Sequence, residues 1–222
     1  EFFVKFKNDK ILSPFLKRWY GMHGSCAQDL YGLLMIGIFL QNTVVKRTVQ
    51  MTEVMLQKYG IKVKFDWKEV FEFWKPEKMM KVSEEELRKL KVGYRAKFFI
   101  KTSETFVKEK IDEFELRSLS VREAKDKLIK LYGVGPETVR GLLQEALHHY
   151  DTFEHVAPWQ QKIYSRLLFN KKMVPAEKII KYTKLHWGSK WAVLAVSYIW
   201  EDIFWQRKHG NKIDWLEKEI RL

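Results

Sequence analysis

Cysteine is nearly missing from this 222-residue chain, where Cys26 stands alone. One thiol excludes an internal disulfide, a four-cysteine zinc site and an iron–sulfur cluster. It reads as a small core residue rather than a nucleophile. Long apolar runs are missing too: the longest, Leu30 to Leu40, is too short to cross a bilayer, so no membrane partner is expected. His148 and His149 are adjacent, but no histidine stands at metal-ligand spacing with enough partners. No metal site made from side chains is expected. Strand-like alternation occurs only in Ile61-Lys62-Val63-Lys64-Phe65, which speaks against a sheet-based fold. The chain also lacks an initial Met and a secretory pattern, and its Glu1-Phe2 start fits a cloning remnant on an engineered chain.

What is present is apolar, aromatic and basic. Hydrophobic residues make up 46%, with nine Trp and fifteen Phe, enough for a real core and against disorder. The net charge is +13, spread as +2 over residues 1–30, +6 over 31–150 and +5 over 151–222. There is no detachable basic tail. A globular body that is basic throughout favours a polyanion, most simply nucleic acid. Abundant Lys and Glu also occur in thermal adaptation, so charge alone does not decide.

Nearly every segment has helical periodicity. Gln28 to Tyr59 gives an apolar helix through Leu40 and an amphipathic one carrying Val45, Val49, Met55 and Leu56. Lys68 to Phe73 reads as a short helix, and Pro76 breaks the next connection. Glu84 to Leu90 follows the cap Ser83; Ala96 to Lys108 places Phe98, Phe99, Thr102 and Phe106 at helical intervals. Val156 to Phe169, Pro175 to His186 and Trp191 to Trp205 complete the set. The fold class expected is all-α, with about nine to eleven helices in at most two lobes. Trp187, Trp191, Tyr198, Trp200, Phe204 and Trp205, at helical spacing, read as core rather than as stacking platforms.

The most informative stretch is Leu131-Tyr132-Gly133-Val134-Gly135-Pro136-Glu137-Thr138. Ser120-Val121-Arg122-Glu123 has capping-box spacing, so Val121 to Tyr132 reads as a helix. Pro136 suits the first turn of the next, whose apolar face carries Val139, Leu142, Leu143, Ala146 and Leu147. Helix, Gly-x-Gly-Pro, helix points bare backbone N–H groups, backed by a helix dipole, at a phosphate. A tight helix–helix turn with glycines is the plainer alternative.

Two further segments join the hairpin. Together the three resemble the helix-hairpin-helix DNA glycosylases, the HhH-GPD superfamily that contains endonuclease III and the 8-oxoguanine glycosylases. The hairpin matches Leu-x-Gly-Val-Gly-x-x-Thr. Ile38-Phe39-Leu40-Gln41-Asn42-Thr43 is similar to the segment that ends a buried helix with Gln or Asn, and Val92-Gly93-Tyr94-Arg95-Ala96-Lys97 resembles the Gly-Tyr-Arg-Ala-Lys/Arg turn. The resemblance implies a two-lobed helical fold with a cleft, residues 30–148 forming the lobe that ends in the hairpin and 1–29 plus 149–222 the other. It implies a monomer, cytoplasmic or nucleoid-associated (nuclear in a eukaryote), that flips and excises a damaged or mispaired base from duplex DNA. Gln41, with Asn42 beside it, is then offered to the vacated space, and Tyr94 is a wedge. Arg95 reaches a phosphate or base edge, and Lys162 is a further DNA contact. The plainer readings are that Gln41 caps a helix and Tyr94 is a turn aromatic. Gly133, Val134 and Gly135 would hold a phosphate through backbone N–H groups, with a monovalent cation on their carbonyls. No other cofactor is implied.

The catalytic pair departs from the pattern. Bifunctional members carry a Lys where this chain has Glu137, and a carboxylate cannot form the Schiff base, so monofunctional action is expected. Glu137 alternatively only supports the helix N-terminus. The family's Asp opens a helix matched here from Val156 to Leu167, which puts Ala157, twenty residues after Glu137, in its place. Ala cannot stabilise a cationic sugar. Either an Asp has been replaced, which is the preferred reading, or Asp151 or Glu154 substitutes, or activity is lost. The turn and the hairpin cues point to different lesion classes, so no single base is named. The alternative function is a non-catalytic module that binds distorted duplex.

Overall fold

The computed structural model describes residues 1–22, 29–156 and 158–219. Cys26, Gln28 and Ala157 lie outside the described residues. In chain order the elements are α1 (Phe2–Phe6), α2 (Ser13–Arg18), α3 (Leu30–Leu40), α4 (Val45–Tyr59), β1 (Ile61–Phe65), β2 (Lys68–Glu72), α5 (Pro76–Met79) and α6 (Glu84–Lys89). They continue with α7 (Arg95–Lys108), α8 (Glu113–Ser118), α9 (Val121–Leu128), α10 (Pro136–Glu145), α11 (Pro158–Phe169), α12 (Ala176–Trp187), α13 (Ser189–Lys208) and α14 (Asp214–Glu219). The fold is helical, as expected. It has more, shorter helices than the periodicity suggested, because one-turn segments such as α1, α5 and α8 show no full period.

The chain forms two compact units, Ser25–His148 and Glu1–Gly24 with His149–Leu222. In the first, α3 is apolar all round and therefore central, with Leu34, Met35, Ile38 and Phe39 wholly buried. Helices α4, α7 and α10 pack around it. Its start is fixed twice: Asp29 accepts from the Gly32 N–H at 2.7 Å, and Glu113 accepts from the Leu30 N–H at 2.7 Å. Ser83 caps α6, and Ser120 and Glu123 form the expected capping box of α9. Tyr31 is buried with its hydroxyl 2.7 Å from Ser103 Oγ, and burial pushes its pKa up to about 12.

Four local expectations need correction. Residues 68–72 are not a helix but β2, paired antiparallel with β1 so that Phe65 faces Lys68. Asp66 (φ 45°) and Trp67 (φ 62°) make the turn in left-handed backbone, the geometry of a two-residue hairpin loop. That loop favours Asn-Gly, and neither residue is present. Asp66→Asn with Trp67→Gly is therefore expected to stabilise the protein by about 1 kcal/mol, measured by urea unfolding. Second, α9 stops at Leu128, four residues before Tyr132, because the chain must turn toward Gly133 at φ 76°. Third, α10 ends at Glu145, although Ala146 and Leu147 stay buried. Pro76 does not break a connection but opens α5, where its missing N–H costs nothing.

In the second unit, α13 is the longest helix and buries Ala192, Val193, Val196, Tyr198, Ile199 and Ile203. The N-terminal helices belong to this unit by contact: the Phe2 ring lies 5.6 Å from Trp191 and 5.5 Å from Tyr198. Buried Asp202 accepts from Arg18 and, at 2.8 Å, from Trp19 Nε1. Of the aromatics of α12 and α13, Trp187 and Tyr198 are buried in the core, Trp191, Trp200 and Phe204 are half-buried against it, and Trp205, at 47%, is exposed.

Candidate nucleic-acid interface

The hairpin between α9 and α10 is held open by packing from α7. Gly133 sits at φ +76°, and a β-carbon on it would meet the Phe98 ring at 2.5 Å. Only glycine fits both the backbone angle and the ring. Phe98 also packs edge-on against Tyr132 at 5.4 Å and Tyr94 at 5.3 Å. One turn further along α7, Thr102 Oγ1 donates to the Tyr132 carbonyl at 2.9 Å. The N-cap of α10 is Gly135, which supplies no side-chain cap, so the first turn keeps its orphan N–H groups. The Val134 N–H is not among them, since it donates to Leu131 O at 3.1 Å, and Val134 itself is buried.

Gln41 ties the end of α3 to this hairpin. It is the C-cap residue of α3, and its Nε2 donates to Gly133 O at 2.7 Å. Asn42 follows at φ 47° and is exposed. Its Nδ2 donates to the Tyr94 hydroxyl at 3.4 Å, and that hydroxyl donates to Gln41 O at 3.3 Å. Tyr94 is 40% exposed at the N-cap of α7, after Gly93 at φ +66°. The structure thus brings Gln41, Asn42, Tyr94 and the hairpin to one place in one unit. The plain positions expected of Gln41 and Tyr94, at helix ends, are also the ones they occupy.

Arg95 is placed differently from the sequence expectation. It does not extend toward a phosphate but is buried, donating from Nε to Ile38 O at 3.1 Å and from Nη2 to Gln41 O. It closes the carbonyl end of α3, where a cation also suits the helix dipole. Its guanidinium carbon lies 4.8 Å from the Tyr94 ring centre. Sequence reasoning missed this brace, and missed Phe98, Thr102 and Arg47, whose Nη2 donates to Lys91 O at 2.7 Å. The i, i+4, i+8 spacing of Tyr94, Phe98 and Thr102 was an available signal.

Glu137, exposed in the first turn of α10, accepts from Arg140 at 3.1 and 3.2 Å. It also lines a groove of ≈ 330 Å³ between α3 and α10, with Leu33, Gly37, Gln41, Gly141 and Glu145 among the other walls. Lys162 lies half-buried on α11 of the other unit, and Asp151 and Glu154 are exposed just before that helix. Of the three carbonyls considered for a monovalent cation, Gly133's accepts from Gln41 and Gly135's from the Val139 N–H. Among the described residues, no group of three or more His, Cys, Asp or Glu is placed to hold a metal ion. Nor is any described helix long and apolar enough to cross a membrane.

Comparison with known proteins follows the same residues. The family model described as HhH-GPD superfamily base excision DNA repair protein matches residues 36–190. A DNA-3-methyladenine glycosylase of Bacillus subtilis (strain 168) is 20% identical over 207 residues, covering 91% of this chain and 67% of its own. Among solved structures, MBOgg1 in complex with a low-affinity DNA ligand has a TM-score of 0.75 at 23% identity, over 93% of this chain and 69% of its own. The 8-oxoguanine glycosylase/lyase of Clostridium acetobutylicum, in its apo form, has a TM-score of 0.72 at 21% identity, over 89% and 68%. At these identities the structural likeness speaks for the fold.

Proposed function

The chain belongs to the HhH-GPD superfamily of base excision DNA repair proteins, and from that premise we propose that it is a DNA glycosylase that flips a damaged or mispaired base out of duplex DNA. The observation that carries this reading is the join between Gln41 and Gly133 at 2.7 Å, with Tyr94 on Gln41 O. It sets a side-chain edge suited to a disrupted base pair beside a turn suited to a phosphate.

Each part has a task. The uncapped N–H groups at the start of α10, with its dipole, hold a phosphate of the lesion strand. Tyr94 presents a half-exposed ring to an opened base step, and Asn42 adds amide donors beside it. Gln41 braces the hairpin and stands at the helix end that faces the vacated space. Arg95 is a positioning residue: through the carbonyls of Ile38 and Gln41 it holds the loop that carries Gln41 and Asn42. These contacts hold the DNA and repay the few kcal/mol that unstacking costs.

Hydrolysis of the N-glycosidic bond then needs a carboxylate to stabilise the oxocarbenium-like state and to orient water. Position 157, where the family's Asp is matched by Ala, is where we place it. Glu137 has no amine to attack the sugar, so the reaction is base release without strand cleavage. An adenine analogue such as 2-aminopurine beside the lesion tests the flipping step apart from the chemistry. Its fluorescence is expected to rise when the protein binds; bound duplex with no change would argue against flipping. Tyr94→Ala is expected to weaken lesion-duplex binding about tenfold, measured by fluorescence anisotropy, with a smaller change on undamaged duplex.

A further inference from the structure

We infer that the ribbon of β1 and β2 is a docking face for a second copy of this chain, the two ribbons packing face to face and running in opposite directions. This pairing is independent of the reaction proposed above.

The ribbon differs from the rest of the surface in charge and in exposure. Residues 61–72 hold Lys62, Lys64 and Lys68 against Asp66, Glu69 and Glu72, so the ribbon is neutral in a chain of net charge +13. A neutral surface suits a protein partner better than a polyanion. Ile61, Phe65, Trp67, Val70 and Phe71 are exposed within eleven positions, Phe65 at 73%. Large apolar side chains grouped this closely mark an interaction site. Among the described residues no third strand joins the sheet.

The register identifies the partner. Directly paired residues share a face of the ribbon, as do alternate residues along each strand. One face therefore carries Ile61 with Glu72 at the base, Val63 with Val70 in the middle, and Phe65 with Lys68 beside the turn. This pattern is self-complementary about its centre. A two-fold axis running across the ribbon at Val63 and Val70 lays Phe65 of one copy on Ile61 of the other, and Lys68 on Glu72, twice over. On the opposite face, Lys62 and Glu69 already pair at 2.7 Å. Lys68 and Glu72 have no ion-pair partner among the described residues. Four residues apart along one strand, about 13 Å, they cannot reach each other.

The face measures about 17 Å by 10 Å, well short of the ~800 Å² that each partner gives a stable interface. The dimer is therefore weak, with a Kd on the order of 10–100 µM, and dilute protein stays monomeric. Repulsion between two bodies of this net charge is screened beyond ~8 Å at about 0.15 M salt.

Sedimentation velocity on the chain as it stands, from about 1 to about 500 µM in such salt, is expected to show monomer passing to dimer. Val70→Lys sets two ammonium groups against each other at the axis and is expected to remove the dimer. Because Val70 is exposed, urea unfolding of that variant is expected to match the parent. Lys68→Glu and Glu72→Lys each reverse both symmetric ion pairs and are each expected to weaken the dimer about tenfold. Mixed together, these two variants complement each other at both pairs, and the mixture is expected to recover the parent affinity. A chain that stays monomeric throughout overturns the inference. A dimer that Val70→Lys leaves intact does so too, as does a mixture no tighter than either variant alone. If Val70→Lys weakens duplex binding while no dimer forms at any concentration, the ribbon serves DNA and the inference fails.

Discussion

Gly133→Ala is expected to destabilise the protein by about 2–4 kcal/mol and to abolish selective binding of lesion duplex. Two costs add at this position. The left-handed backbone, at φ +76°, is disfavoured for any residue with a β-carbon. That carbon would also lie 2.5 Å from the Phe98 ring, which is fixed between Tyr94 and Tyr132. Phe98 cannot move without disturbing Tyr94, and Gly133 cannot move without losing its carbonyl contact to Gln41. One methyl group therefore reaches all three segments of the interface. Urea unfolding measures the first effect and anisotropy on lesion duplex the second. The control is Gly135→Ala: at φ −101°, with nothing within 4 Å of its β-carbon, it is expected to change stability by well under half as much. A Gly133→Ala protein of native stability would show that Phe98 does not brace the turn.

The contrast between these two glycines shows how far the sequence could be read. The Gly-Val-Gly spacing located the turn, and Gln41, Tyr94 and the hairpin were legible as one group because their order matched a known pattern. Their actual connection was not legible. Gln41 reaches Gly133 across ninety-two positions and Arg95 reaches Gln41 O across fifty-four. No local periodicity reports such contacts. Arg95 is the instructive case: a basic residue beside a wedge tyrosine reads as a phosphate ligand, yet it donates to the carbonyls of Ile38 and Gln41 where α3 ends. The hairpin of β1 and β2 was hidden for a different reason. Its turn carries Asp66 and Trp67 where glycine or asparagine would have announced it, and Lys68 to Phe73 also satisfies a short helical pattern. Helix starts were the most readable feature, because Ser83, Ser120 and Pro136 act on their own first turns.

The catalytic question rests on position 157. The match from Val156 to Leu167 sets the register in which Ala stands for the family's Asp, and α11 begins at Pro158, directly after it. A carboxylate at the start of that helix is favoured by the dipole and stays ionised, the state needed opposite a cationic sugar. Removing such a group commonly costs orders of magnitude in rate, so restoring it is the larger of the expected gains. Neither Asp151, fourteen residues past Glu137, nor Glu154 opens a helix; both lie in the non-helical segment before it. The decisive measurement is single-turnover base release by Ala157→Asp from a panel of duplexes bearing alkylated, oxidised and mispaired bases. The account predicts release of at least one base about 10²–10⁴-fold faster than by the Ala157 chain, leaving an abasic strand that stays intact until treated with alkali. No release from any duplex, by a folded protein that still binds them, would contradict it and leave a non-catalytic reader of distorted DNA.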